Sequence, residues 1–182
     1  MICFRQETRL LQEAVLIKKI IWTVAFGLVA ALLQSTLLSH LALYGAVPDL
    51  ALGIVVYSAY INGMMTGQIS GFLYGIALDF ISAAPLGLNA FVRTIIGALA
   101  GFIKGKFFLD IFLLPMILCA SATIIKAVLL FFLNLLISDM IHAYPFAAPV
   151  LWAELALNTF TAPLLFAFLK RFRPLMAGRN EV

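Results

Sequence analysis

Charged residues are scarce in this chain. Aspartate, glutamate, lysine and arginine make up 11% of its 182 residues, whereas hydrophobic residues make up 64%. A soluble domain carries about 25% charged residues. The composition therefore excludes water as the main solvent, and it predicts a single domain built from membrane spans of about 20 residues each.

Cysteine and histidine are also rare, with two residues of each. Cys3 lies in a basic tail and Cys119 lies inside an apolar run, so we expect no disulfide between them, and no CxxC or metal-ligand spacing occurs. The sequence has no arrangement of serine, histidine and aspartate and no phosphate-binding loop. These absences predict a protein that is not an enzyme and that needs no cofactor or metal.

Six apolar runs lie between residues 20 and 170. The first, Ile20 to Ser39, is longer than the apolar region of about 7–15 residues in a signal peptide, so we interpret it as an uncleaved span. Residues 1–19 form either a short interfacial helix or a polar tail before it, and residues 171–182 form a second tail. The other predicted spans are 50–61, 66–82, 88–103, 112–137 and 150–169.

Basic residues predict the orientation of these spans. The net charge is +4, but the cations flank apolar runs and form no solvated patch, which argues against nucleic-acid binding. With both termini in the cytoplasm, no lysine or arginine falls in an outer loop, and the acids Asp49, Asp79, Asp139 and Glu154 lie at or near the outer side. The cytoplasmic set is Arg5, Arg9, Lys18, Lys19, Lys104, Lys106, Lys170, Arg171, Arg173 and Arg179.

Glycine recurs at every fourth residue in spans three and four. The six positions are Gly67, Gly71, Gly75, Gly97, Gly101 and Gly105. In lipid, small residues at this spacing let two helix backbones approach closely. Because the two spans are consecutive and antiparallel, the pattern predicts that they pack against each other. The alternative, in which one glycine row faces a partner protein, stays open at this point.

Four ionisable residues fall inside the predicted spans, where such residues are costly and are usually paired or functional. Asp79 lies shortly before the outer turn and Arg93 shortly after it, so their similar depth predicts an ion pair. Lys126 lies near the middle of the membrane and Glu154 lies nearer the surface. A lysine side chain is long enough to make a second pair possible, but partners from the backbone, water or another helix are equally compatible with the sequence.

An ordered set of residues surrounds these charges. Pro48 and Asp49 open span two, where a missing N–H costs nothing and the helix dipole favours an acid. The glycine row of span three leads to Asp79, and the turn Pro85-Leu86-Gly87 follows. Together these residues, within roughly residues 45–105, resemble the rod shape-determining protein MreD family.

This resemblance implies a non-enzymatic scaffold in the bacterial inner membrane that supports peptidoglycan synthesis and rod shape. Members associate with the bitopic protein MreC and, through it, with MreB filaments, the RodA glycosyltransferase and a class B penicillin-binding protein. The family fold is similar to the S-components of energy-coupling-factor vitamin transporters, which implies an all-α, six-helix transmembrane bundle in contact with membrane lipids.

An S-component is also the alternative function. It would hold a small ligand in an outward-facing pocket and contact its coupling protein through alanine-rich cytoplasmic positions. The cytoplasmic side of span one contains no clear AxxxA pair, which argues mildly against this alternative.

Overall fold

The structure is a computed structural model that describes residues 2–36, 45–82, 84–105, 112–136 and 148–177. These residues form helices, and no strand occurs among them. The starts and ends of α2 to α6 agree with the predicted spans to within two residues. The helices are α1 (Ile2–Thr36), α2 (Leu50–Asn62), α3 (Met64–Ile81), α4 (Leu88–Phe102), α5 (Leu113–Leu136), α6 (Pro149–Arg171) and α7 (Arg173–Met176).

Helix α1 is longer than predicted. It continues without a break through the boundary expected at residues 19 and 20. The helix therefore includes most of the segment predicted to precede span one, and the point at which that span begins stays a prediction. Part of this helix, Glu13–Gln34, and the whole of α5 and α6 are long and apolar enough to cross a membrane. The protein therefore has three candidate spans among its described residues.

Helices α2 and α4 are apolar but short, with 13 and 15 residues. At about 1.5 Å per residue they are about 20 and 22 Å long, against a hydrocarbon core of about 30 Å. Neither is long enough to cross the membrane as an upright helix. The topology of six spans with both ends in the cytoplasm therefore stays a prediction.

Helix α2 lies at the centre of the bundle. Its residues from Ala51 to Ala59 are all buried, which requires a helix that is apolar on every side. Consistent with this position, α2 contacts α1, α3, α4, α5 and α6. The short length of α2 is tolerated because protein surrounds it instead of lipid.

Two glycines make the tight connections on either side of α3. Gly63 alone links α2 to α3, with φ of 100° and ψ of 179°, a conformation that only glycine adopts readily. The turn from Pro85 to Leu88 precedes α4 and is closed by the Leu88 N–H, which donates to the Pro85 carbonyl over 3.1 Å. Gly87 is the third residue of this turn. Its φ of 92° is the positive value that the third residue of a type II turn adopts, and it favours glycine.

Helices α3 and α4 are antiparallel and touch through their glycines. A Cβ on Gly67 would collide with the carbonyl oxygen of Gly97, and a Cβ on Gly97 would collide with that of Gly67. Gly71 and Gly75 face the α4 backbone in the same way, and Gly101 faces the backbone at the start of α3. The prediction that these two helices pack together is confirmed.

Gly105 is the exception among the six predicted glycines. It lies beyond the end of α4 with φ of 71°, and the space where its Cβ would lie is open. The prediction that it packs against a helix was wrong, because the chain leaves the helix before it reaches this position.

Four cations outside the buried network lie at one end of the bundle. Lys104 reaches Gly63 at the end of α2, and Lys170, Arg171 and Arg173 lie at the junction of α6 and α7. The side-chain amide of Asn62 joins α2 to the end of α7 by donating to the Met176 carbonyl over 2.9 Å. Lys106, Asp139 and Arg179, which also entered the predicted topology, lie outside the described residues.

Candidate functional site

Asp49 is the centre of a buried polar network at the start of α2. Its carboxylate accepts a hydrogen bond from the Leu52 N–H over 2.9 Å and so caps the helix, as predicted. The cap is Asp49 itself. Pro48 therefore precedes the helix, whereas the sequence had suggested that Pro48 begins it. A carboxylate at this position satisfies a free N–H and complements the helix dipole.

The same carboxylate binds two cations from other helices. Arg93 of α4 donates from Nη2 to Oδ1 and Oδ2 of Asp49 over 3.1 and 3.0 Å, and Lys126 of α5 donates to Oδ2 over 3.0 Å. Only 7% of Asp49 is exposed. An acid this well buried needs such partners, because isolated charges are costly away from water.

The predicted ion pair between Asp79 and Arg93 is therefore wrong. Asp79 instead caps the start of α4 from the neighbouring helix, accepting N–H bonds from Gly87, Asn89 and Ala90 over 2.9, 2.9 and 3.2 Å. Its oxygen also accepts the side-chain amide of Asn89 over 2.9 Å. The free N–H groups of a helix start attract a nearby carboxylate. The Asp79 carboxylate binds these groups and does not pair with Arg93.

The second pair that the sequence allowed is present. Lys126 donates to Oε1 of Glu154 over 2.6 Å while it also binds Asp49. Lys126 therefore joins α2 to α6 through two carboxylates. Two carboxylates and two cations thus meet in one network, whose formal charge is zero.

Asn158 and Thr123 complete this network and were missed at the level of sequence. The Asn158 Oδ1 accepts the backbone N–H of Asp49 over 2.6 Å, and its Nδ2 donates to Thr123 Oγ1 over 2.9 Å. Spacing could have revealed both residues. Asn158 lies four residues after Glu154, and Thr123 lies three before Lys126, so each shares a helix face with a charge.

These contacts show that α2 begins inside the bundle. Asp49 lies level with Lys126 and Asn158, which are close to the middle of α5 and of α6. Asp49 is therefore buried inside the bundle, and its position at the outer side of the membrane stays a prediction. Non-helical backbone at this depth is tolerated where protein encloses it, and Ala46, Pro48 and Asp49 are buried accordingly.

Arg93 has a second neighbour on α3. Its guanidinium lies over the Tyr74 ring, 4.9 Å from the ring centroid, in a cation–π contact. Within the described structure its Nε and Nη1 have no hydrogen-bond partner. A cavity of about 380 Å³ adjoins this contact and is lined by Asp49, Tyr74, Arg93 and side chains of α1 and α3.

The network can hold helices together. Its cations are bound to its carboxylates, and the described residues contain no group of three histidine, cysteine, aspartate or glutamate side chains that could hold a metal ion. The four charges come from the start of α2 and from α4, α5 and α6. The arrangement is a clamp on the central helix.

Comparison with known families decides the identity of the chain. The family model described as rod shape-determining protein MreD matches residues 14–172. The chain belongs to the MreD family. It is therefore a membrane protein of the bacterial cell-shape machinery, and the resemblance found in residues 45–105 extends over most of the chain.

No curated protein and no solved structure matches the chain. The likeness to energy-coupling-factor S-components therefore stays a prediction.

Proposed function

We propose that this protein is a non-enzymatic scaffold of the elongation machinery in the bacterial inner membrane. It binds MreC and, through MreC, supports MreB, RodA and a class B penicillin-binding protein in peptidoglycan synthesis and rod shape. The observation that carries this proposal is the buried clamp around Asp49, together with the family membership. Charges that bind one another across four helices make a stiff platform.

The outer face of α3 and α4 is the best candidate for the MreC surface. The glycines of both helices are engaged with each other, so a partner must use other residues. Beside them lies a groove of about 600 Å³ whose walls are mostly apolar and include Phe72, Ile76, Phe80 and Phe91. A single apolar helix such as the MreC span fits the chemistry of a groove between two membrane helices.

The scaffold acts on the synthase through conformational populations. Binding can activate a partner only if the complex prefers one of its conformations over the other. A stiff platform favours such a preference, because it presents the same surface to MreC at all times. The expected signature is a stimulation of synthase activity by this protein that requires MreC.

Site-specific photocrosslinking tests this function. A photoreactive residue at Phe80 or Phe91 is expected to crosslink to MreC in native membranes. The matched control is Leu164 of α6, whose side chain is 76% exposed on another face. Crosslinks to MreC from Leu164 alone would place the surface elsewhere, and failure of MreC to co-purify with the tagged protein would overturn the scaffold itself.

The cavity beside Arg93 favours a second function, that of an S-component. It combines a cation, an acid and a tyrosine with apolar walls, as a site for a small polar ligand would. Asp79, Lys126 and Glu154 were the other candidate ligand contacts, and each is engaged in a cap or an ion pair. Mass spectrometry of the purified protein distinguishes the two functions, since a stoichiometric vitamin or an ATPase-linked coupling protein supports only the S-component.

A further inference from the structure

A second cavity lies at the basic end of the bundle, away from the Asp49 network. Its volume is about 250 Å³, and its walls come from α2, α5, α6 and the start of α7. Ile61, Leu114 and Phe166 supply apolar wall, and Tyr60 adds an aromatic ring. Lys170 and Arg173 lie in the same lining. The cavity therefore combines a surface for hydrocarbon with two cations.

The described side chains of this lining carry only positive charge. The lining contains two cations and, among the described residues, no acid. The start of α5 adds to the positive electrostatic potential in the cavity. Leu114 and Pro115 line the cavity and belong to the first turn of α5, and a helix start carries a partial positive charge. The site thus favours a ligand with negative charge next to an apolar part.

The position of the cavity narrows the class of ligand. Lys104 lies at the same end of the bundle, and so do Lys18 and Lys19, since Thr23 in the next turn bonds Ser58 in the second half of α2 over 2.6 Å. Basic residues mark the cytoplasmic side of membrane proteins. Anionic lipids give the cytoplasmic leaflet its negative surface, and basic pockets between helices on that side bind their headgroups.

We propose that this cavity binds one anionic phospholipid of the phosphatidylglycerol class. The phosphate lies against Lys170 and Arg173, and an acyl chain lies along Leu114 and Phe166. Free phosphate has the same negative charge as the lipid headgroup, but it would leave the apolar wall of the cavity uncovered. We therefore propose the lipid as the ligand. The site uses no residue of the Asp49 clamp or of the α3/α4 groove, and it stands independently of MreC binding.

Native mass spectrometry of the full-length protein in detergent provides the test. Phosphatidylglycerol and phosphatidylcholine are titrated against the protein and its variants. We expect preferential binding of one phosphatidylglycerol, and a loss of affinity of roughly tenfold or more in the K170Q/R173Q double variant, since each cation near an anionic headgroup contributes about 1 kcal/mol. The charge-preserving K170R/R173K variant should keep the affinity.

Arg171 is the matched control. It shares the last turn of α6 with Lys170 but does not line the cavity, so R171Q should change affinity less than about twofold. Equal binding of the two lipids, or an equal loss in R171Q, would overturn the proposal. Displacement of the lipid by millimolar inorganic phosphate would show a phosphate site in place of a lipid site.

The folding of the variants is checked by their melting temperatures. Lys170 is exposed, so K170Q alone should melt as the wild type does and still lose affinity severalfold. If K170Q melts normally and binds phosphatidylglycerol unchanged, the proposal is wrong even where the double variant fails to fold.

Discussion

Arg93 and Asp49 are 44 residues apart in sequence and bind through a single guanidinium nitrogen, at 3.1 and 3.0 Å from the two carboxylate oxygens. Both side chains are buried, with 6% and 7% exposed. Removal of one partner leaves the other charged and enclosed, which typically costs about 3–5 kcal/mol. Loss of either side chain should therefore strongly destabilise the bundle.

We expect a double-mutant cycle to reveal this pair. Asp49→Asn and Arg93→Met should each lower the free energy of unfolding in mixed micelles by about 3–5 kcal/mol, and the double variant should lose clearly less than the sum. The comparison cycle pairs Arg93→Met with Asp79→Asn. A coupling as large for Asp79 as for Asp49 would restore the pair first suggested by sequence.

Lys126 should be less tolerant of substitution alone than together with Glu154. Lys126→Met leaves Glu154 buried without its cation, so we expect a loss of about 3–5 kcal/mol. Adding Glu154→Gln removes the stranded charge and should restore part of that loss. The measurement is the free energy of unfolding of both variants under the same micelle conditions.

The control for this pair is an exposed residue on α5. Phe132→Leu, with its side chain 57% exposed, should change stability by less than about 0.5 kcal/mol. No recovery in the double variant would mean that Glu154 does not depend on Lys126.

Asp79 should act as the cap of α4. Asp79→Ala removes the acceptor of three backbone N–H groups and should lower stability by about 1–2 kcal/mol, the usual cost of losing a cap. Asp79→Asn keeps one carbonyl oxygen and should cost less. Hydrogen exchange of residues 87–90 gives the direct readout, because protection there should fall in the alanine variant.

Ser82→Ala serves as the neighbouring comparison. Ser82 contributes only a contact of 3.5 Å to Asn89, so its loss should leave exchange in α4 unchanged. Equal effects of Ser82→Ala and Asp79→Ala would argue against capping by Asp79.

The glycine contacts of α3 and α4 predict strong intolerance of alanine. Gly67→Ala and Gly97→Ala would each drive a methyl group into the opposite backbone, which cannot move without separating the helices. Overpacking of this kind typically costs about 1–3 kcal/mol, occasionally more. Melting temperatures in detergent should fall for both variants.

Gly53 provides the matched comparison within a helix. Its added methyl group would meet the end of the Leu165 side chain, which can rotate away. Gly53→Ala should therefore be better tolerated than either substitution between α3 and α4. The reverse order would mean that these two helices are not in backbone contact.

The sequence predicted the helices well and the partners of the charges poorly. Apolar runs and the turn residues Gly63 and Gly87 located α2 to α6 to within two residues. Residues 1–19 mix basic and apolar side chains, so the sequence left a helix and a tail as alternatives, and in the structure α1 includes residues 2–19. All four intramembrane charges that were named do form buried contacts.

The error in pairing has two physical causes. The free N–H groups at the start of α4 bind the Asp79 carboxylate, which is therefore engaged elsewhere. Asp49, at the buried start of α2, instead meets Arg93 of α4 and Lys126 in the middle of α5. No local pattern encodes these contacts, because they depend on how five other helices surround α2.

The internal start of α2 also sets an order for biogenesis. Asp49 leaves the ribosome 44 residues before Arg93 and 77 residues before Lys126. Until those residues arrive, a helix too short to cross the bilayer carries an uncompensated acid at its buried end. We expect chains stalled after α3, which contain neither cation, to be degraded faster than chains stalled after α6 in a pulse-chase measurement. The central helix is thus among the first to be synthesised, and its buried acid acquires its full set of ion-pair partners only after later helices are made.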